Sequence, residues 1–145
     1  MKTETLILDH EQIQHKIKRI AYQIYENNID EKEIILAGIA KNGYILSQRL
    51  QASLQEISLL KVELCEVKID KKNPLAPIST SLTSEEFRNK SIILVDDVLN
   101  SGATLIYGVR HFLEVPLKLF KTAVLVDRNQ DRKSTRLNSS HQWRS

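Results

Sequence analysis

The sequence is poor in cysteine: Cys65 is the only one among 145 residues. A single thiol can form neither an internal disulfide nor a cysteine-based metal site. Long apolar runs are also absent, because none approaches the roughly 20 residues that span a bilayer. The N-terminal stretch MKTETLILDHEQIQHK has no long apolar core and no small-residue cleavage site, which argues against a secretion signal. We therefore expect a cytoplasmic protein without a membrane partner.

Basic and acidic residues are nearly balanced, with 21 of Lys and Arg against 18 of Asp and Glu. Residues 131–145 hold four basic residues against one acidic residue, so residues 1–130 contain 17 of each kind. The net charge of +3 therefore lies entirely in the last fifteen residues. Because the rest of the chain is neutral, its charge gives no support for RNA binding, although a local basic patch stays open.

The last fifteen residues also lack apolar periodicity, which is typical of a disordered basic tail. A second interpretation is more specific, since DRKSTRLNSSH is similar to the translation of a common sequencing-adapter oligonucleotide. We therefore expect a domain over residues 1–130 that is incomplete at its C-terminus, followed by a non-native tail over residues 131–145.

Hydrophobic spacing predicts alternating helices and strands. Helices are predicted over residues 8–28, 44–54 and 104–113, and strands over residues 33–40, 57–69, 91–97 and 120–127. In the first helix the spacing of Ile13, Ile17, Ile20 and Ile24 predicts one apolar stripe, and Asp9 with Gln12 predicts a capping box. KNG at 41–43 is typical of a turn, and residues 70–89 are predicted to form a long loop. This alternation indicates an α/β fold with a parallel sheet. Ligands of such sheets bind beyond the carboxyl ends of the strands, here Ala40 to Gly43, Asp96 to Thr104, and Asp127 to Arg128.

The segment LVDDVLNSGAT carries the strongest chemical signal. Gly102 allows close approach of the backbone, and N–H groups at a helix start, with the hydroxyls of Ser101 and Thr104, suit one phosphate monoester. The loop contains no Lys, which excludes a Walker-type nucleotide loop. An N-cap without any ligand explains the same residues about equally well.

Asp96 and Asp97 come directly before this loop. Adjacent carboxylates repel each other, and hydroxyl donors or a nearby Mg²⁺ relieve that repulsion. A ribose whose 5-phosphate rests in the loop would present its 2- and 3-hydroxyls to the two carboxylates. A solvated strand end is the simpler interpretation of an isolated Asp pair, but the neighbouring phosphate loop makes it less favoured.

The segment IILVDDVLNSGAT resembles the phosphoribosyl-pyrophosphate (PRPP) motif of type I phosphoribosyltransferases. GIAKNGYILSQRL resembles the first loop of that family, and AVLVDRN is similar to a strand of the uracil phosphoribosyltransferase type that doubles as a pyrimidine-operon attenuator. The resemblance implies a parallel-sheet, Rossmann-like fold and transfer of a phosphoribosyl group from PRPP to a nucleobase, with uracil favoured. It leaves open a regulator that senses nucleotides and binds RNA. A dinucleotide-binding domain is disfavoured, because no G-x-G-x-x-G follows a strand.

The resemblance also implies roles for individual residues and for Mg²⁺ as the cofactor. Asp96 and Asp97 would hold the ribose hydroxyls and place Mg²⁺; Asn100, Ser101, Gly102, Ala103 and Thr104 would bind the 5-phosphate; Ala40, Lys41, Asn42 and Gly43 would hold pyrophosphate. Asp127 and Arg128 would lie near the base or the pyrophosphate, unless they form only a surface ion pair. Residues 70–84 would form a lid, and a homodimer is expected.

One departure from the family bears on the base. Purine-using members often carry an acidic residue where this chain has Asn100. An amide cannot take up a proton at neutral pH, which weakens a hypoxanthine-guanine assignment and leaves pyrimidines or other bases open.

Overall fold

Strands and helices alternate along almost the whole described chain. The computed structural model describes residues 9–70, 72–73, 77–99 and 103–127. In chain order the elements are α1 (His10–Asn27), β1 (Glu33–Ile39), α2 (Ala40–Ile57), β2 (Lys61–Lys68), β3 (Ser79–Thr80), α3 (Ser84–Phe87), β4 (Ser91–Leu99), α4 (Ala103–Phe112) and β5 (Leu119–Asp127).

The five strands form one sheet in the order β3-β2-β1-β4-β5. Strand β1 pairs in parallel with both β2 and β4, β4 pairs in parallel with β5, and the short β3 is antiparallel to β2. The chain moves outward from β1 to β2 and then crosses back to β4 on the other side of β1. The predicted α/β fold with a parallel sheet is therefore confirmed.

Helices cover both faces of the sheet. The near-continuous apolar sequence of β1 follows from this arrangement, because both faces of a central parallel strand are buried. One core cluster joins α1 and α2 to the sheet and includes Leu36, Ile93 and Val95. The other joins α3 and α4 to the opposite face and includes Ile35 and Leu94.

Side-chain hydrogen bonds define where two of the helices begin. Asp9 accepts a bond from the backbone N–H of Gln12 at 2.8 Å, and the Gln12 side chain accepts one from the Asp9 N–H at 3.0 Å. This is the capping box that the sequence predicts. Thr83 and Glu86 form a second capping box at the start of α3. Both helices thus satisfy free N–H groups of their first turn with their own side chains.

Three sequence expectations are wrong in detail. The predicted turn at residues 41–43 lies inside α2, because Gly43 is buried against β1 and β4 and tertiary packing keeps it helical. The predicted loop over residues 70–89 contains β3 and α3, where the buried ring of Phe87 lies 4.7 Å from that of Phe112. Strand β4 continues past residue 97 to Leu99, because β5 pairs with it to that point.

The cysteine is a structural residue of β2. Cys65 is fully buried, and this burial raises the pKa of its thiol. A thiol that stays protonated at neutral pH is a poor nucleophile. In the part of the chain that the structure describes, no helix has the length and apolar character to cross a membrane.

Two leucines give a matched test of the central core. Leu36 is completely buried in β1, whereas Leu59 is fully exposed between α2 and β2. We expect Leu36→Ala to lower the free energy of unfolding by about 2–5 kcal/mol, because it leaves a cavity between the sheet and α2. Leu59→Ala should change that free energy by no more than about 0.5 kcal/mol. Urea denaturation of both variants measures the difference, and equal losses would contradict the described core.

Candidate functional site

The candidate site lies where the strand order reverses, between β1 and β4. Gly38 of β1 is level with Val95 of β4. One residue later β1 ends at Ile39, while β4 continues to Leu99. Helix α2 leaves β1 toward one face of the sheet, and α4 follows β4 on the other face. A crevice of this kind at the carboxyl ends of parallel strands is the usual ligand position in open α/β sheets.

Asp96 and Asp97 lie on β4 at this crevice. Side chains of a strand alternate between its faces, so Asp97 follows Val95 on the α2 side and Asp96 follows Leu94 on the α4 side. Asp96 is only 2% exposed, and its Oδ1 accepts a hydrogen bond from the backbone N–H of Asp97 at 2.9 Å. Asp97 is half-buried. The pair thus combines a carboxylate held by the backbone with a more accessible one.

The start of α2 lies beside the Asp pair and has no side-chain cap. Ile39 occupies the N-cap position and accepts no hydrogen bond through its side chain. Ala40 enters the helix with a φ of 58°, in the left-handed region, and the exposed residues Lys41 and Asn42 follow. The first N–H groups of a helix carry partial positive charge and lack partners within the helix. The first turn of α2 can therefore donate to an anion, and its one charged side chain is cationic.

The remaining predicted residues follow β4 and β5. The backbone of Ala103 and Thr104, the last two residues predicted to bind the 5-phosphate, forms the start of α4. Asp127 ends β5 and is level with Leu99 of β4. Asn100, Ser101, Gly102 and Arg128 lie outside the described residues. Among the described residues, the structure thus brings the Asp pair next to the start of α2, and the ends of β4 and β5 lie side by side.

Sequence reasoning missed the importance of Gly38. This residue lies on β1 directly beneath the first turn of α2, where Gly43 and Tyr44 pass over it. The available signal was the pair of glycines five residues apart across a strand-to-helix junction, in GIAKNG. Such a pair is typical of a backbone crossing too close for side chains.

A family model for the phosphoribosyl transferase domain matches residues 4–140. The chain belongs to this family. The family predicted from the sequence is confirmed, and the chain is a phosphoribosyltransferase. The boundary placed at residue 130 stays a prediction.

Two curated relatives of this phosphoribosyltransferase are each named bifunctional protein PyrR. The one from Clostridium kluyveri is 32% identical over 135 residues, which cover 88% of this chain and 76% of the relative. The one from Streptococcus pneumoniae is 34% identical over 132 residues, which cover 88% of this chain and 75% of the relative. The predicted similarity to the attenuator type of uracil phosphoribosyltransferase agrees with these matches.

Solved structures confirm the phosphoribosyltransferase fold. A hypoxanthine-guanine phosphoribosyltransferase from Bacillus anthracis superposes with a TM-score of 0.66 at 23% identity, covering 91% of this chain and 75% of that one. The hypoxanthine phosphoribosyltransferase from Trypanosoma cruzi, complexed with the product IMP, gives a TM-score of 0.71 at 16% identity. That match covers 88% of this chain and 67% of the other. At such identities the likeness establishes the fold alone.

The left-handed backbone of Ala40 gives a test of the α2 start. A side chain at positive φ is strained, so we expect Ala40→Gly to leave the free energy of unfolding unchanged or raise it by up to about 1 kcal/mol. Ala52 lies exposed within α2, where Ala52→Gly should cost about 1 kcal/mol because glycine disfavours a helix interior. Urea denaturation compares the two. Equal destabilisation by both substitutions would contradict the described backbone at Ala40.

Proposed function

We propose that this phosphoribosyltransferase binds PRPP with Mg²⁺ and transfers the phosphoribosyl group to a nucleobase, with uracil as the favoured acceptor and pyrophosphate as the released product. One observation carries the proposal: the Asp pair of β4 lies at the switch point of the sheet, beside the uncapped start of α2. PRPP carries a diol between two anionic groups, and this site offers carboxylate acceptors next to backbone donors.

The carboxylates of Asp96 and Asp97 suit the ribose of PRPP. Hydroxyl groups donate hydrogen bonds, ionised carboxylates accept them, and such charge-assisted bonds are stronger than neutral ones. Asp97 is the more accessible of the two and lies on the same face as the start of α2. Asp96 already accepts the Asp97 N–H, so the backbone at this point is held in place before a ligand arrives.

The first turn of α2 suits the pyrophosphate of PRPP. Its N–H groups and the ammonium of Lys41 present positive charge to the pyrophosphate. That charge stabilises the pyrophosphate as it becomes more negative, while its bond to ribose C1 breaks. Ala40, Lys41, Asn42 and Gly43 are the residues proposed for this role. Because the transition state is expected to be oxocarbenium-like, the protein acts chiefly by positioning the reactants and balancing charge.

Mg²⁺ fits the donors at this site. It prefers oxygen ligands and is usually held by one or two carboxylates together with substrate phosphates and water. Asp96 and Asp97 are the proposed protein donors, because they are the carboxylates beside the site proposed for PRPP. When bound, Mg²⁺ would neutralise phosphate charge on PRPP.

Four further assignments belong to the same proposal. Asn100, Ser101, Gly102, Ala103 and Thr104 would bind the 5-phosphate, since they connect the Asp pair to the start of α4. Asp127 and Arg128 would approach the base or the pyrophosphate, since β5 ends level with β4. Residues 70–84 would close over the site as a lid and exclude water, and the active form would be a homodimer.

Uracil is favoured over purines for two reasons. Both PyrR relatives exceed 30% identity, whereas the purine-using enzymes share only the fold at 16–23% identity. Asn100 occupies the position at which purine-using members often carry an acidic residue, and an amide cannot accept a proton from the base.

The Asp pair provides the direct test. We expect Asp96→Asn with Asp97→Asn to weaken PRPP binding in the presence of Mg²⁺ by at least about 100-fold, because two charge-assisted acceptors are lost. Asp97→Asn alone should weaken binding less and should fold normally, since Asp97 is half-buried. Asp30→Asn, in the exposed turn before β1, is the matched control and should bind as the wild type does. Isothermal titration measures all four proteins, and unchanged affinity in the double variant would overturn the proposal.

A second function is supported by the relatives, whose name describes them as bifunctional. We propose that the chain also acts as a regulator that binds RNA. The logarithm of the RNA association constant should then fall linearly with the logarithm of salt concentration. A leader RNA of a pyrimidine operon, titrated against DNA of the same sequence, tests this role. Equal affinity for both nucleic acids would argue against it, and turnover of PRPP would be unaffected by either result.

A further inference from the structure

Two glycines bring the start of α2 against the carboxyl end of β4. A Cβ placed on Gly38 would lie 2.5 Å from the carbonyl oxygen of Gly43 and 2.5 Å from the Cα of Tyr44. A Cβ placed on Gly43 would lie 2.7 Å from the carbonyl oxygen of Val95 and 3.6 Å from the Cα of Asp96. All four of these atoms belong to backbone, so no side chain can rotate away to make room.

We propose that Gly38 and Gly43 are positioning residues for the pyrophosphate end of PRPP. They set the separation between the first turn of α2 and Asp97, the carboxylate on the same face of β4. This inference rests on the proposed function, and it adds that the separation is fixed by backbone contact at Gly38, Gly43 and Val95.

The contacts form a stack through the crevice. On the α2 side of the sheet, Gly38 on β1 supports Gly43 of α2, and Gly43 rests on the Val95 carbonyl of β4. Asp97 is the next residue of β4 on that face after Val95. An added side-chain atom in this stack leaves no room for the present backbone, so the first turn of α2 and the strands beneath it must move apart. The N–H groups proposed for pyrophosphate would then move relative to the carboxylate proposed for ribose.

The site proposed for the 5-phosphate of PRPP lies away from the first turn of α2, so we expect it to be unaffected by this displacement. The 5-phosphate is assigned to residues 100–104, which lead into α4 on the other face of the sheet. Gly108 lies in α4. The three atoms nearest to a Cβ placed on it all belong to side chains, and the nearest is a methyl carbon of Leu94 at 3.1 Å. Gly108→Ala therefore adds the same methyl group at a place where a side chain can adjust.

Two fragments of PRPP separate the two ends of the site. Pyrophosphate with Mg²⁺ reports on the α2 end, and ribose 5-phosphate reports on the Asp pair and the α4 end. We expect Gly43→Ala to weaken pyrophosphate binding by about 10-fold or more, since loss of one hydrogen bond to a charged group has an effect of about this size. Its affinity for ribose 5-phosphate should stay within about twofold of the wild type, because the methyl group acts on the α2 face. Gly108→Ala should leave both affinities unchanged.

A milder variant keeps the test decisive if Gly43→Ala or Gly38→Ala does not fold. The hydroxyl of the buried Ser47 donates to the Gly43 carbonyl at 2.9 Å, and Ser47→Ala removes that restraint without adding volume. We expect it to fold and to weaken pyrophosphate binding by about 2- to 3-fold, in keeping with loss of one neutral hydrogen bond, while ribose 5-phosphate binding stays unchanged.

The two proposals fail in different ways. If the wild type binds neither PRPP nor either fragment, the proposed function is wrong. If the wild type binds both fragments and the folded variants lose both affinities equally, or lose neither, the glycines have only a structural role and the present inference is wrong. Selective loss of pyrophosphate affinity, with a higher KM for PRPP in steady-state assays, supports it.

Discussion

The parallel pairing of β1 with β4 is the constraint on which the rest of the structure depends. This pairing sets Gly38 level with Val95 at the centre of the sheet. Because β1 is then followed by α2 on one face and β4 by α4 on the other, the two helix starts flank one crevice. The strands on either side extend the sheet, while this pair alone defines the position of the site.

The same pairing explains how the chain tolerates a carboxylate that is almost completely buried. Burial of an isolated charge is very unfavourable, and the backbone offsets part of that cost at Asp96. The Asp97 N–H donates to Asp96 at a point where β4 has passed the end of β1 and pairs only with β5. The bond gives the buried carboxylate a donor from the backbone of its own strand.

Much of the fold follows from sequence patterns with a direct physical cause. The spacing of Ile13, Ile17, Ile20 and Ile24 predicts the buried stripe of α1, and Asp9 with Gln12 predicts its first turn. The Asp pair and the start of α2 were expected at one edge of the sheet and are found there. The turn expected at residues 41–43 is helical instead, because contacts with β1 and β4 override local preference. The paired glycines of GIAKNG indicate a close backbone crossing, but which backbone crosses over Gly38 depends on tertiary contacts that local sequence does not specify.

The absence of a side-chain cap on α2 links ligand binding to folding. Helices α1 and α3 complete their own first turns through Asp9 and Thr83, whereas α2 begins after Ile39, a residue with nothing to donate or accept in its side chain. An anion at this position would accept hydrogen bonds from the N–H groups of the first turn of α2, as the side chains of Asp9 and Thr83 do in α1 and α3. Thermal stability would then rise with ligand concentration. A polar cap at residue 39 would have to replace a fully buried core side chain, so the chain cannot complete this turn by itself without losing packing.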